Sequence, residues 1–276
     1  MGENHFFMDS GRSVRFWLFF LALILPAQAH ANDMVLIPDG PFQMGSMEGE
    51  REERPAHKVH VDAFCIDRYL VTNADYARFL NVFGNRVEGG EKWLDDVGPL
   101  SSWLCKIKKK NDRFMPKPGY ENHPVIKVSW YGARAYARWL GKRLPTEAEW
   151  EKAARGGLEG KKYVYGDTIS PSQANVGGFH ATTPVGSYPP NGFGLFDMVA
   201  SVWQWCNDWY DPDYYARSPS RNPKGPESGS LKVLRGGSWF HKESWRVAIR
   251  SADDPLSKNF CFVTGFRCAQ EADKKD

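Results

Sequence analysis

The chain has 276 residues, 42% of them hydrophobic and 14% aromatic with 11 Trp, enough for one large core or two small ones. A mean hydropathy of −0.53 excludes a protein embedded in a membrane over most of its length. A net charge of +3 gives no case for nucleic acid as a partner.

From the N-terminus, Arg12 and Arg15 precede an apolar run from Phe16 to Leu25, which Pro26 breaks. Ala29-His30-Ala31 supplies the small residues that a signal peptidase reads, so residues 1–31 are expected to be a signal peptide. The apolar run is too short for a comfortable span. The expected location is periplasmic or secreted, with no membrane association after cleavage. Removal of the leader takes away Glu3, Asp9, Arg12 and Arg15 and leaves the net charge unchanged.

Met34 to Ile37, a Pro38-Asp39-Gly40 turn and Phe42 to Met44 predict strand, turn, strand. Val59 to Val61 and Phe64 to Ile66 predict a second strand pair or one long bent strand. Thr72 caps a helix with an apolar stripe of Tyr76, Phe79, Leu80 and Phe83, stopped by Gly84. Residues 85 to about 120 lack sustained periodicity and predict a long loop insertion. Trp93, Trp103 and Cys105 are expected to pack parts of it down. Lys106, Lys108, Lys109 and Lys110 form its basic cluster, read as a solvated face or as a site for an anionic partner.

Ser129 caps a second helix through Leu140, closed by Gly141. Thr146 and Glu149 form a capping box for a third, which ends at Gly156. Short strands joined by Gly, Pro and Asn turns follow. One domain over 33–270, with a charged tail at 271–276, is the economical division. The 5 cysteines have no metal-binding spacing, and their odd number leaves at least one thiol unpaired within a monomer. Cys206 is expected to be a buried small hydrophobe.

The order of certain blocks resembles that of the sulfatase-modifying-factor family, whose catalytic members are formylglycine-generating enzymes. The blocks are Met34-Val35-Leu36-Ile37-Pro38, Met44-Gly45-Ser46, Val71-Thr72-Asn73, His123-Pro124-Val125 and Gly141-Lys142-Arg143-Leu144-Pro145-Thr146-Glu147-Ala148-Glu149-Trp150-Glu151. Gly194-Leu195, Trp203-Gln204-Trp205, Arg235-Gly236-Gly237-Ser238 and Gly265-Phe266-Arg267-Cys268 follow in register. The resemblance implies an irregular α+β fold, distantly similar to C-type lectins, with little regular secondary structure.

Catalytic members of that family oxidise a cysteine in a sulfatase peptide, using copper(I) held by two cysteines shortly after the Gly-Gly-Ser block. Copper(I) is soft and selects thiolates. Here Trp239 to Trp245 reads Trp-Phe-His-Lys-Glu-Ser-Trp, without a cysteine and in a shortened loop, so copper is not expected. His241 and Glu243 are weak catalytic candidates, as an acid–base pair or as ligands of a harder metal. Ser238, Trp239, Trp245 and Arg246 are candidates for a substrate groove, with an aromatic floor that includes Trp203, Trp205 and Tyr215.

The resemblance also implies structural calcium. In this chain Asp197 and Gln204, with the carbonyls of Ala200 and Val202, are its candidate ligands. A second family calcium site would fall near Asn175, but the position of its distal acid is taken by Gly177, so calcium is not expected there. The family's disulfides do not carry over. Cys65 with Cys268 is the first candidate pair and Cys105 with Cys261 the second.

Three functions remain open: an exported accessory protein that binds a peptide or protein partner, a periplasmic oxidative maturation enzyme of the pyoverdine-maturation type using other residues, and a formylglycine-generating oxidase with unusual ligands.

Overall fold

The computed structural model describes residues 33–97, 103–176, 181–241, 245–256 and 263–272. Strands β1 (Met34–Ile37) and β2 (Gly40–Met44) flank the expected turn but do not pair with each other. β2 runs antiparallel to β3 (His57–Val61), whereas β1 is antiparallel to β4 (Phe64–Asp67). The buried Lys152 ammonium explains the divergence. It donates to the carbonyls of Pro38, Gly40 and Val61, pinning the turn where the chain passes from one sheet to the other. The segment 57–67 likewise resolves into two strands in separate sheets.

Helix α1 (Asn73–Phe83) starts where Thr72 and Asp75 exchange capping bonds and stops at Gly84. Its stripe of Tyr76, Phe79 and Leu80 is buried against helix α2 (Trp130–Trp139), with Tyr76 and Phe79 ring centroids 5.7 and 5.6 Å from Tyr136. Between these helices the expected loop contains two hairpins, β5 (Val87–Glu88) with β6 (Glu91–Lys92) and β7 (Ile107–Lys110) with β8 (Arg113–Pro116). Asn111 and Asp112, both at positive φ, make the second turn. Trp93 and Cys105 are buried as expected, but Trp103 is 64% exposed.

Helix α3 (Glu147–Arg155) carries the Thr146–Glu149 capping box and ends at Gly156 in the left-handed region. The later chain supplies β9 (Trp203–Trp209), β10 (Lys232–Arg235), β11 (Arg250–Asp253) and β12 (Thr264–Gly265), arranged β11-β10-β9-β12 with β12 parallel to β9. The last strand, β13 (Ala269–Glu271), returns to β4, so the two ends of the domain share one sheet.

That closure is made by backbone and ion pair, and the expected Cys65–Cys268 disulfide is corrected. The register sets Cys65 opposite Gln270, and Cys268 follows Asp67 across the ladder, which puts the two cysteines on a diagonal. Diagonal neighbours stand about 7–8 Å apart, beyond ordinary disulfide reach. No disulfide joins them. Asp67 does the joining, accepting from Cys268 N (2.8 Å) and from the buried Lys142 ammonium (2.7 Å). The second candidate pair includes Cys261, which lies outside the described residues.

At the centre, α3 turns Glu147 and Glu151 toward β10. Arg235, whose side chain has no exposure, donates Nη1 to Glu147 (2.8 Å) and Nη2 to Glu151 (2.7 Å). Arg250 forks onto Glu147 at 2.7 and 2.9 Å, and Arg155 reaches Glu151 at 2.6 Å. Burial alone would push the Glu147 carboxyl up. The guanidinium groups of Arg250 and Arg235 overcome it and hold the carboxyl at about 2 instead of 4.5.

Arg235→Met is expected to destabilise the fold by about 3–5 kcal/mol in urea unfolding, because it strips a cation from two buried carboxylates. An acid limb should accompany it. The depressed carboxyl of Glu147 contributes stability above its unfolded value of 4.5, and loses that contribution as the pH falls toward 2. The shift corresponds to on the order of 3 kcal/mol. Unfolding free energies measured between about pH 6 and about pH 3 should fall with acid, and Glu147→Gln should flatten that slope.

Candidate functional site

After β10 the chain must leave the core abruptly, and Gly236 allows it. Its φ is 92°, and a Cβ there would meet the Met198 carbonyl at 2.5 Å. The turn sends Ser238 and Trp239 inward, where both are buried and Trp239 N donates to the Ser201 carbonyl. Trp245 Nε1 donates to the Ser238 carbonyl at 3.1 Å, tying the far side of the short loop to its near side.

His241 folds back into this knot. Its Nδ1 lies 3.2 Å from Trp203 Nε1 and 2.7 Å from Ser238 Oγ. The indole N–H can only donate, so Nδ1 accepts and the ring proton is assigned to Nε2. Burial pushes the imidazole below its ordinary value and keeps it neutral at pH 7. The sequence candidates Ser238 and His241 are thus brought together, while Glu243 lies outside the described residues.

Trp245 and Arg246 line a cavity of about 890 Å³. Ser238 and Trp239 are not among its lining residues and are buried after the glycine turn. Of the expected aromatic floor only Trp245 reaches the cavity, and Trp203, Trp205 and Tyr215 are packed in the core.

The cavity walls come mainly from residues that sequence reading did not single out. Arg246 forks onto the buried Glu53, Nη2 to Oε1 at 2.7 Å and Nη1 to Oε2 at 3.1 Å. Burial pushes the Glu53 carboxyl up, opposed by the Glu50 N–H and by Arg246. Arg155 forms part of the wall, spanning Glu151, the Gly45 carbonyl and the Lys161 carbonyl. Lys161 pairs with Asp167 at 2.7 Å, and Lys162 and Glu48 add charges of both signs. Glu53 reads in sequence as one more acid in a surface run. Its partner is 193 residues away, so no local signal reveals it. Such a cavity, wide, charged in both signs and edged by one indole, suits a polar peptide segment better than a small apolar molecule.

Thiolate chemistry does not fit these walls. Among the described residues no cysteine lines the cavity; Cys105, Cys206 and Cys268 are buried elsewhere. Burial pushes the thiols of Cys206 and Cys268 well up, so they are poor thiolate donors. Among the described residues, the cavity walls offer no donor set for copper(I).

The four calcium candidates also fail as a set. Gln204 Oε1 already accepts from Trp150 Nε1 (2.9 Å) and Arg267 Nε (2.8 Å). Its Nε2 donates to the carbonyls of Asp197 and Met198. Asp197 Oδ2 accepts from Gly186 N at 2.7 Å, and Arg267 also holds the carbonyls of Phe196 and Asp197. Burial lowers the Arg267 guanidinium to about 10, which still leaves it charged at neutral pH. A cation held by Gln204 would face this guanidinium, so a protein cation stands where the metal was expected. Ala200 and Val202 are buried in the same turn, with Ala200 N donating to the Gly236 carbonyl. At the second family position Asn175 donates to the Ala181 carbonyl, and Gly177 lies outside the described residues.

With this geometry established, known proteins supply the context. The chain is 40% identical over 284 residues to a formylglycine-generating enzyme of Streptomyces coelicolor, covering 87% of this chain and 89% of that protein. It is 44% identical over 244 residues to the serine/threonine-protein kinase pkn1 of Chlamydia pneumoniae. That match covers 87% of this chain but only 38% of the kinase, so the chain spans about two-fifths of that relative's length. Among solved structures it is similar to PvdO from Pseudomonas aeruginosa, with a TM-score of 0.67, 27% identity and coverage of 87% of this chain and 94% of that one. The sulfatase-modifying factor enzyme 1-like domain model matches residues 22–272, and the chain belongs to that family.

Proposed function

We propose that this protein is an exported, formylglycine-generating-enzyme-like accessory factor that binds a peptide or protein partner in the cavity edged by Trp245 and Arg246 and does not generate formylglycine. The observation that supports this reading is the composition of the cavity wall, a broad ion-paired surface in which the segment from Trp239 to Trp245 brings no thiol. A partner peptide would be held by Trp245 and by the charges of Lys161, Lys162 and Arg246. The kinase activity in the name of the Chlamydia relative belongs to a protein of which this chain matches a minority, and is not carried over.

Incubation with a cysteine-containing sulfatase-type peptide, with and without added copper, should leave the peptide mass unchanged. Formation of the aldehyde would overturn the reading. A photo-reactive side chain replacing Lys162 should cross-link the partner peptide in the exported fraction, with Trp245→Ala cutting the yield by about tenfold. Retained peptide chemistry that His241→Ala abolishes would favour an oxidative maturation enzyme instead.

The loop at 197–204 carries a related expectation. Since Gln204 and Arg267 satisfy one another, chelation of calcium should shift the thermal midpoint by no more than about 1 °C. A larger loss would show that metal sustains the fold after all.

A further inference from the structure

The β7–β8 hairpin has two unlike faces. Its register pairs Lys108 with Met115 and Lys110 with Arg113, and the bond from Lys117 N to the Lys106 carbonyl extends the ladder by one pair. Side chains alternate along a strand, so Lys106, Lys108, Lys110, Arg113, Met115 and Lys117 share one face. Five of the six are cations, and the sixth is a methionine that is 48% exposed. The opposite face buries Ile107 and Phe114 in the core. Asp112, the only acid between positions 106 and 117, lies exposed at the turn and pairs with Lys109, which alternates with the outer-face cations, at 3.1 Å.

The outer face is therefore uncompensated within the hairpin. Lys110 stands directly across from Arg113, and Lys106 across from Lys117, arrangements that cost stability when nothing external neutralises them. Burial and then the neighbouring Lys117 push the Lys106 ammonium below its ordinary value, as expected for crowded cations. At the open end of the face, Lys106 Nζ lies 5.8 Å from the Trp103 ring centroid and 4.6 Å from that of Tyr120, and Lys117 Nζ lies 5.5 Å from Tyr120. The Trp103 ring is mostly exposed.

We propose that this face docks the protein on an anionic lipid surface, with the five cations on the headgroup phosphates and Met115 and Trp103 in the interfacial layer. A soluble polyanion would match the charge but leave the thioether and the indole in water. A headgroup layer takes both. The docking is peripheral, since no helix among the described residues is long and apolar enough to cross a membrane. It revises the expectation of no membrane association after cleavage, which rested on the reading of residues 1–31 as a signal peptide. It is independent of the cavity and of what the cavity binds.

The test is sedimentation of the full chain with vesicles of phosphatidylcholine alone or with one-third phosphatidylglycerol. Binding should be stronger to the anionic vesicles and weaken as salt is raised. The triple variant K108E/K110E/R113E should lose at least about tenfold of the anionic preference with an unchanged thermal midpoint. If that variant fails to fold, K108Q/K110Q/R113Q gives the same reading with a smaller loss. Comparing variants of one full chain cancels any contribution of residues 1–31. Met115→Ser should weaken vesicle binding without affecting retention on soluble polyglutamate. Equal binding to both vesicle types, or a triple variant that binds as the parent does, overturns the proposal. Tight binding to polyglutamate without vesicle binding also overturns it, and identifies an acidic protein partner instead.

Discussion

Arg235 sits between Glu147 and Glu151 with no exposure to water, and the surrounding structure is arranged to make that charge tolerable. Burying an ion pair costs several kcal/mol per ion unless every polar hydrogen and lone pair nearby is used. Here each guanidinium also donates to backbone, although Arg235 Nε is left buried without a partner. Arg235 reaches the Val247 carbonyl, Arg250 the carbonyls of Glu52 and Asp211, and Arg155 those of Gly45 and Lys161. Those carbonyls belong to loops far apart in sequence. The network thus does what regular secondary structure does in other folds, satisfying the backbone of irregular segments and fixing where they lie.

The cavity inherits its shape from this arrangement. Gly45 is held from both sides, its N–H by Glu151 Oε1 at 2.8 Å and its carbonyl by Arg155, so the loop that forms one wall hangs directly on α3. Glu53 closes a short 3₁₀ turn and receives Arg246 from the opposite wall. A ligand placed there meets walls that are already ordered, and gives up less conformational entropy on their behalf.

How much of this could be read beforehand depended on sequence distance. The three helices were legible because their caps are local: Thr72 with Asp75, Ser129 with Gly132, and Thr146 with Glu149, followed by Gly84 or Gly156. Strand pairing was not, since β4 and β13 meet across about two hundred residues, and alternation alone names no partner. The proximity of Cys65 and Cys268 was anticipated, but a diagonal register cannot be told from a direct one without the ladder. The β7–β8 hairpin was hidden because Lys-rich strands with one buried face carry little hydrophobic signal, although Asn111-Asp112 is a recognisable turn pair. Trp245 and Arg246 were groove candidates from the aromatic set and the flank of the shortened loop, whereas Glu53 and Arg155 needed the folded chain.

The same geometry explains how the family scaffold can carry a segment from Trp239 to Trp245 that has no cysteine. Gly236 is pressed against the Met198 carbonyl and the Trp150 ring, and Gly236 O accepts from Ala200 N, so the turn after β10 is locked by the core on its inner side. Trp245 and Arg246 lock the return, through the Ser238 carbonyl and Glu53. Among the described residues, the segment between them carries none of the guanidinium–carboxylate pairs of the core, which lie on α3, β10 and β11. Its length and composition can change while both ends stay fixed, because loop length alone alters stability only slowly. The thiols needed for copper(I) chemistry are thus separable from the scaffold. The cavity wall is not, since Arg155 lines the cavity and is at the same time tied through Glu151 to the charge network beneath it.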